Sequence, residues 1–296
     1  MPASIPAPVQ RDDARFPRIL QALRRSPKTL WFWGDRLPDP DASGPAPVAI
    51  VGSRKASGSG CGTARTMAAT LAWAGHAVVS GGAFGIDAAA HEGALDAQAA
   101  PTFAFLGCGI DVVYPDRHAA LFARIRRSGC LISEFGPGVA PRKQQFPARN
   151  RLIAGLARAV VVVEAAPRSG ALGTATLARR MGRIVLAVPG SPGTDALVRA
   201  GHAVAVQDAK DVQDALAGRL APALISTETV AERAMRFSPQ LGALVAAVAQ
   251  GYANPAALAL VLAMPVSEVL ALLMVAELEG FILRGPLNHY EVGRGH

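Results

Sequence analysis

The feature that most constrains the fold is a regular alternation of short β-branched runs and amphipathic helical windows that begins at Val48. The predicted strands are 48–53, 76–81, 102–108, 130–135, 159–165, 183–190 and 202–207. The predicted helices between and after them are 60–74, 86–97, 118–127, 149–157, 170–181, 194–200 and 212–220. This alternation is typical of βαβ units, so it predicts an α/β fold with a mostly parallel sheet covered by helices on both faces.

A different pattern occupies the C-terminal part of the chain. Three helical windows are followed by a short hairpin, and this is the order of a winged helix. The predicted helices are 240–249, 256–262 and 267–279, with Ser267 as an N-cap of the third. We therefore predict a Pro-rich N-terminal extension with one helix at 16–25, a core, a linker and a winged-helix domain. Their bounds are 1–45, 46–221, 222–238 and 239–296.

Charge is unevenly distributed along the 296 residues, whose net charge is +8. Residues 237–296 hold two arginines and four glutamates, a net charge of −2, which leaves +10 for residues 1–236. A basic core favours a polyanionic partner, although many basic proteins bind none. The third helix of the winged unit carries three glutamates and no cation, whereas a DNA-reading helix needs cations. We expect that helix to contact protein rather than DNA.

Composition also bounds the cellular setting. The three cysteines form no CxxC pair and no metal-ligand spacing, so we expect a reducing cytoplasm and no bound metal. The first ten residues lack the charged and apolar regions of a signal peptide. The longest apolar stretch, 256–276, contains Pro265, Ser267 and Glu268, which predicts two packed helices rather than a membrane span.

Ligands of open parallel sheets bind beyond the carboxyl ends of the strands, so the residues after each strand are the candidates. Three of these turns are rich in small residues that open a helix, an arrangement that suits an anion. They are Gly52-Ser53-Arg54-Lys55, Ser80-Gly81-Gly82-Ala83-Phe84 and Ser169-Gly170. The first turn matches neither GxxxxGK[ST] nor GxGxxG, so neither ATP nor NAD is expected as a cofactor. Ordinary turn chemistry with solvated cations remains the alternative.

The segment after the fourth predicted strand is the most informative. Arg142, Lys143, Arg149 and Arg151 surround Phe146 within ten residues. Cations follow a phosphate backbone while an aromatic ring stacks on a base, which is how single strands are held without sequence readout. The alternative is a phenylalanine packed under the helix beside a solvated basic face.

Catalysis has little support in the sequence. His91-Glu92 is followed by Leu95 where HExxH needs histidine, and GxSxG is absent. Asp87, His91 and Glu92 are interpreted as a hydrogen-bonding network on a helix. We therefore expect no enzymatic activity and no cofactor.

Several motifs in sequence order resemble the DNA-processing protein A family, also called DprA or Smf. They are GSRKAS at 52–57, SGGAFGIDAAAHEGAL at 80–95, LGCGIDVVYPDRH at 106–118, LISEFGPG at 131–138, FPARNRLIAGLA at 146–157 and AVPGSPG at 187–193. The resemblance implies a Rossmann-like, doubly wound core that binds single-stranded DNA and dimerises. It also implies protection of incoming strands in natural transformation, loading of a RecA-type recombinase, and no enzymatic activity; recombinational repair stays open as the main role.

The resemblance also implies roles for particular residues. Phosphates would lie against the glycine-rich turns at Gly52, Ser80-Gly81 and Ser169-Gly170. Direct DNA contacts would come from Arg54, Lys143, Phe146, Arg149, Asn150 and Arg151.

The sequence suggests two alternative functions. The GALGT turn at 170–174 is similar to that of nucleoside-monophosphate phosphoribohydrolases, but no carboxylate closely follows Thr174 to act as an acid or base. A winged-helix transcription regulator is disfavoured by the acidic third helix.

Overall fold

A computed structural model describes residues 6–39, 41, 43–219, 234–235, 237–279, 281–285 and 289–292. The chain forms two compact units, one comprising Met1–Val198 and His202–Pro222, the other Arg199–Gly201 and Ala223–His296. Most of the predicted linker, at 222–233 and 236, lies outside the described residues.

The first unit is built on a nine-stranded, mostly parallel sheet of order β1-β2-β6-β5-β4-β3-β7-β8-β9. The strand bounds are Val9–Gln10, Thr29–Trp33, Val48–Val51, Val78–Ser80, Thr102–Phe105, Cys130–Ser133, Ala159–Val162, Ile184–Ala187 and Val204–Ala205 for β1 to β9. The strand order reverses between the neighbours β3 and β7. Strands β4, β5 and β6 follow outward from β3, and β8 and β9 follow outward from β7 on the other side. The predicted doubly wound, Rossmann-like α/β core is confirmed.

Helices cover both faces of this sheet and bury two separate apolar layers. Their bounds are Arg18–Gln21, Gly58–Trp73, Ile86–Ala97, Ala119–Ser128, Gln145–Leu156, Gly170–Arg180, Pro192–Arg199 and Ala209–Leu216 for α1 to α8. The strands of a doubly covered sheet are buried on both faces, which explains why β3 and β7 consist of continuous apolar residues.

The N-terminal residues belong to the sheet, which corrects the expectation of a separate extension at 1–45. Strand β2 pairs antiparallel with β6, from Trp31 opposite Ser133 to Trp33 opposite Leu131, and β1 pairs antiparallel with β2. The run TLWFW has the β-branched and aromatic composition of a strand, but its proline-rich surroundings obscured it.

Two helix starts differ from their predicted positions. Helix α5 begins at Gln145 rather than at 149, so Phe146 and Pro147 lie in its first turn. Proline is tolerated there because first-turn N–H groups have no partner within the helix. Helix α2 begins at Gly58 because Ser57 is its N-cap and accepts a hydrogen bond from the Gly60 N–H.

Residues 239–292, as far as the structure describes them, form three helices and then an antiparallel hairpin, in the predicted order. Helices α9 to α11 are Pro239–Ala249, Pro255–Leu262 and Val266–Leu278, and strands β10 and β11 are Ile282–Arg284 and Tyr290–Val292. Helix α11 begins after Pro265, so Ser267 lies within the helix and is not its predicted N-cap. Among the described helices, none alone is long and apolar enough to cross a membrane; α10 and α11 pass together but are bent by 110°.

Candidate nucleic-acid interface

The carboxyl ends of β3, β4 and β5 bring together residues that are far apart in the sequence. A small cleft there is lined by Arg54, Gly81, Gly82, Ala83, Phe84, Gly107, Tyr114, Pro115, Phe146 and Arg149. Its volume of about 40 Å³ is far below the roughly 300–1,000 Å³ of pockets that enclose a small-molecule ligand. A nucleobase would therefore lie across the mouth of the cleft, against the exposed side chains.

Aromatic rings surround this mouth. The centroids of Phe146 and Tyr114 lie 5.5 Å apart with a 41° angle between the rings. Tyr114 is 44% exposed and Phe84 is 41% exposed, although large apolar rings usually bury far more of their surface. Phe84 is fixed by an edge-on contact with His118, at 4.7 Å between centroids. The exposed rings offer stacking surfaces to a base.

A cation lies over the central ring of this cluster. The guanidinium carbon of Arg54 is 5.4 Å from the centroid of Phe146, within the range of a cation–π contact. Arg54 is exposed, so it can contact a phosphate while Phe146 contacts the adjoining base. The structure thus places two of the predicted residues side by side.

The position of Phe146 depends on a glycine behind it. A Cβ atom on Gly107 would lie 2.6 Å from the Phe146 ring, closer than real Cβ atoms approach other atoms. Gly107 therefore leaves the space that lets the ring pack against the backbone just beyond the end of β5.

Arg149 plays a different part from the predicted contact with DNA. Its side chain is 4% exposed, and its Nη1 donates hydrogen bonds to the carbonyl oxygens of Gly81, at 2.8 Å, and Phe105. Burial lowers the pKa of this guanidinium to about 10. Arg149 ties α5 to the ends of β4 and β5, and so positions Phe146 one helical turn earlier.

A buried acid balances this buried cation. Burial raises the pKa of Asp87, while the charge of Arg149 acts in the opposite direction. The Asp87 carboxylate accepts hydrogen bonds from the N–H groups of Gly81 and Ala83, at 3.2 and 3.4 Å. These two amides already have an acceptor within the protein, and the phosphate contact of the Ser80-Gly81 turn stays a prediction. Ser80 is also buried, and its hydroxyl donates to the Ile50 carbonyl.

The first glycine-rich turn is likewise filled by the protein itself. The carboxylate of Glu164, just after β7, accepts hydrogen bonds from the Ser57 N–H at 3.0 and 3.2 Å and from the Ser57 hydroxyl at 2.6 Å. Ser53 accepts from the Lys55 N–H, and a Cβ on Gly52 would collide with Ile86. Carboxylates suit helix N-termini for the same reason as phosphates, so Glu164 occupies the predicted anion pocket.

The third turn remains open. Helix α6 begins after Ser169, whose hydroxyl accepts from the Ala171 N–H, and Gly170 is exposed. The Asn150 side chain reaches the Gly170 carbonyl at 3.4 Å and so connects this turn to α5. Of the three turns predicted to bind phosphate, this one lies beside α5. The helix that it opens, α6, has no acidic residue in its first turn.

Arg151 is held within the fold, which weakens its predicted contact with DNA. Its guanidinium donates to the Glu134 carboxylate at 2.5 Å and to the carbonyls of Arg25 and Ala148. Several cations in the segments that follow the strands are exposed. They include Arg54, Lys55, Arg142, Lys143 and Arg168.

Two of those cations precede α5, a helix with no acidic residue in its first turn and no side-chain N-cap. Cations near a helix N-terminus oppose the helix dipole and do not stabilise the helix. Their exposure there concentrates positive potential beside the aromatic mouth. This arrangement favours binding of an anion over helix stability.

Sequence reasoning missed Tyr114 and Gly107. Tyr114 lies in the loop after the third predicted strand, within the motif LGCGIDVVYPDRH at 106–118. No pattern around it distinguishes it as a functional residue. Gly107 has a recognisable signal, because a glycine at the end of a strand often marks a place where another group packs closely against the backbone. Among the described residues, no three His, Cys, Asp or Glu side chains are grouped to hold a metal ion.

The fold and this edge define a Rossmann-like α/β protein with an aromatic and basic surface beyond the carboxyl ends of its strands. Residues 8–217 match the family model of DNA recombination-mediator protein A. The chain belongs to that family.

Relatives of the chain carry related descriptions. It is 48% identical over 182 residues to a putative DNA processing protein DprA of Mycobacterium tuberculosis, covering 60% of this chain and 46% of that protein. It is 41% identical over 181 residues to DNA processing protein DprA of Streptococcus pneumoniae, covering 60% of this chain and 61% of that protein. This chain thus matches about half the length of these curated relatives.

Solved structures agree with the fold. DNA processing protein A of Streptococcus pneumoniae matches with a TM-score of 0.64 at 37% identity, over 71% of this chain and 74% of that one. The Helicobacter pylori protein, described for its unique single-stranded DNA binding mode, matches with a TM-score of 0.62 at 30% identity, over 69% and 93% of the two chains.

Proposed function

We propose that this chain binds single-stranded DNA across the carboxyl edge of its sheet. The observation that carries the proposal is the contact of Arg54 with Phe146 beside the exposed ring of Tyr114. Single strands expose base faces that stack on such rings, whereas duplex bases are already stacked. The family description and the single-stranded DNA binding described for the Helicobacter pylori protein support the same ligand.

The number of exposed cations determines how strongly DNA binding should depend on salt concentration. If three to five of the cations at this edge each neutralise one phosphate, the logarithm of the binding constant falls with the logarithm of salt at a slope of about −2 to −3.5. Arg149 and Arg151 contribute little to that slope because they are engaged inside the protein.

Fluorescence anisotropy with labelled oligo-dT and its duplex tests the proposal. We expect Phe146→Ala to lose about 1–3 kcal/mol of single-strand binding, the usual value of one stacked base, with the salt slope preserved. Trp73→Ala, which removes an exposed aromatic ring from the end of α2, is the matched control. Equal affinity for duplex, or indifference to Phe146, would refute the site.

We further propose the wider role that family membership suggests: protection of incoming strands and loading of a RecA-type recombinase, by a homodimer formed through the core. Natural transformation, recombinational repair or both would use such a mediator in the cytoplasm. Strand exchange by a purified RecA-type recombinase on DNA coated with single-strand binding protein tests the loading role. Acceleration by the wild type and none by Phe146→Ala is the expected result.

Enzymatic activity is not part of the proposal. The carboxylate of Glu164 is held by Ser57, and Thr174 donates to the Gly170 carbonyl at 3.4 Å. No observation favours the phosphoribohydrolase reading, which a nucleoside-monophosphate hydrolysis assay would check.

A further inference from the structure

A second cleft of the first unit lies at the amino ends of β5 and β6, at the sheet edge opposite the aromatic mouth. Its volume is about 420 Å³, within the range of roughly 300–1,000 Å³ that is typical of small-molecule sites. Three arginines and two polar residues contribute to its lining: Arg36, Arg124, Arg127, Gln98 and Ser128. A cleft of this size and charge indicates a small anionic ligand.

The fold brings these arginines together from separate segments. Arg124 and Arg127 are in the last two turns of α4, whose chain continues directly into β6. Strand β2 runs antiparallel to β6, so its carboxyl end lies beside the amino end of β6, and Arg36 follows it by three residues. The three arginines thus come from elements that the sheet holds in place.

The positive charge of the cleft is only partly neutralised. The Arg124 guanidinium is 3.1 Å from the Asp96 carboxylate, which also pairs with Arg65 at 2.5 Å. Arg127 is exposed and has no hydrogen bond or ion pair with the side chain of any residue that the structure describes. None of the described residues that line the cleft is acidic. An anion would therefore meet unpaired positive charge there.

Helix ends explain some of these cations but not the cleft. Arginines in the last turn of α4 stabilise that helix through its dipole, and Arg36 donates to the Ala99 carbonyl just beyond α3, at 3.4 Å. Such interactions account for one cation at each helix end. The cleft instead gathers three arginines beside a space of ligand size.

Gln98 adds a polar side chain at a position that glycine would occupy more easily. It follows α3 with a φ of 52° and a ψ of 22°, the left-handed conformation in which glycine is the usual residue. A side chain in this conformation costs stability, and here it lines the cleft. Its amide NH₂ group can donate to an oxyanion beside the guanidinium groups.

We propose that this cleft binds the phosphate chain of a small polyphosphate, such as inorganic tripolyphosphate or a nucleoside triphosphate. Guanidinium groups bind phosphate oxygens in bidentate pairs, and three of them match a chain of phosphates better than a single phosphate. None of the described lining residues is aromatic, so the bases of a single strand would find no ring for stacking. The inference is independent of where the core binds DNA.

Isothermal titration calorimetry of the full-length protein, without divalent metal ions, tests the site with tripolyphosphate, inorganic phosphate and ATP. We expect tripolyphosphate to bind at least tenfold more tightly than inorganic phosphate. Equal affinities, or no binding of either, would overturn the proposal. Tighter binding of ATP than of tripolyphosphate identifies a nucleotide as the ligand, whereas equal or weaker binding identifies the phosphate chain alone; both results support the shared chemistry.

Variants then locate the binding. Arg36→Gln combined with Arg127→Gln removes two exposed charges, so the circular dichroism spectrum should be unchanged while tripolyphosphate affinity falls at least tenfold. Arg179→Gln combined with Arg180→Gln is the matched control, because it removes two exposed arginines from the last turn of α6. Equal losses in the two double variants would mean non-specific attraction and would refute the cleft as the site.

Gln98→Gly separates a ligand contact from a structural role. Glycine adopts the left-handed conformation without strain, so the thermal midpoint should not fall. We expect tripolyphosphate affinity to fall several-fold, because the amide donor is lost. Unchanged affinity would overturn the role assigned to Gln98.

Oligo-dT binding by the Arg36→Gln, Arg127→Gln protein tests the other occupant. Unchanged DNA affinity together with lost tripolyphosphate binding is the expected result. A comparable loss of both would make the cleft part of a DNA path and overturn the proposal. If the wild type failed to bind oligo-dT, the DNA site would be refuted, while tripolyphosphate binding would still decide the cleft.

Discussion

At the scale of single residues, the candidate site depends on the shape of the backbone behind one ring. Phe146 packs closely against Gly107, which has no side chain, and Arg149 anchors the helix that carries the ring. The residues that matter therefore include two that need not touch DNA.

Gly107→Ala tests this positioning role. The new methyl group would meet the Phe146 ring at 2.6 Å, so the ring must move away from Arg54 and Tyr114. We expect single-strand affinity to fall several-fold in anisotropy titrations, although no contacting group has been removed. Gly62→Ala is the matched control, since a Cβ there meets nothing within 4 Å. Equal affinities of the two variants would show that the ring position is unimportant.

A buried histidine behind the site gives the fold a pH dependence. The Thr102 hydroxyl donates to the Val78 carbonyl and faces Nδ1 of His91 at 2.7 Å, which assigns the proton to Nδ1. The buried Nε2 has no partner among the described residues, and burial lowers the pKa of His91 to about 3. As pH falls below about 6.5, the unfolded chain gains a proton that the folded protein does not bind.

The free energy of unfolding should therefore fall with decreasing pH. Between pH 6.5 and pH 4.5 we expect His91 to contribute a loss of about 2 kcal/mol. His91→Gln cannot take up this proton, so urea titrations should show a pH dependence smaller by that amount. The same pH dependence in both proteins would contradict the assigned pKa.

At the scale of elements, the helix N-termini differ in whether a carboxylate of the protein already occupies them. Glycine-rich turns after β3 and β7 look alike in sequence, and both were predicted to hold phosphates. The structure fills the first with Glu164, which comes from the end of a strand more than a hundred residues later. No local pattern could reveal that pairing, because it depends on β3 and β7 being neighbours in the sheet.

Glu164→Gln separates the structural from the electrostatic effect of this carboxylate. The amide keeps the shape but removes a negative charge from the start of α2, so we expect a loss of about 1 kcal/mol in stability. Loss of a negative charge near the basic edge should also tighten oligo-dT binding a few-fold at low salt.

Chemical denaturation and anisotropy on the same preparation measure both effects. Glu92→Gln removes an equal charge from α3 and serves as the control. Weaker DNA binding by Glu164→Gln than by this control would imply that the carboxylate helps to hold DNA.

Most of the core was predictable because doubly covered strands leave a strong apolar signal. Phe146 and Lys143 could be singled out as an aromatic ring among cations in one segment, and Arg54 as a cation in the turn after the first predicted strand. The contact between Arg54 and Phe146 could not be predicted, because the two residues are 92 positions apart. Burial of Arg149 was not, because a cation in a basic segment has the same sequence signature whether it faces solvent or carbonyl oxygens. Strand β2 was missed because its β-branched and aromatic run is surrounded by proline-rich sequence.

At the scale of the whole molecule, the two units differ in charge and in surface chemistry. Residues 1–236 carry a net charge of +10 and include the aromatic edge, whereas residues 237–296 carry a net charge of −2. A polyanion is attracted to the basic part, so the proposed DNA site lies where the net charge favours it.

The central claim is that single-stranded DNA lies on the aromatic mouth of the core. Photo-cross-linking of the full-length protein to an oligonucleotide containing 4-thiothymidine, followed by mass spectrometry of the peptides, tests it directly. We predict cross-links to the peptides that contain Phe84, Tyr114 and Phe146, and their loss when unlabelled oligo-dT competes. Cross-links confined to residues 239–279 would contradict the account.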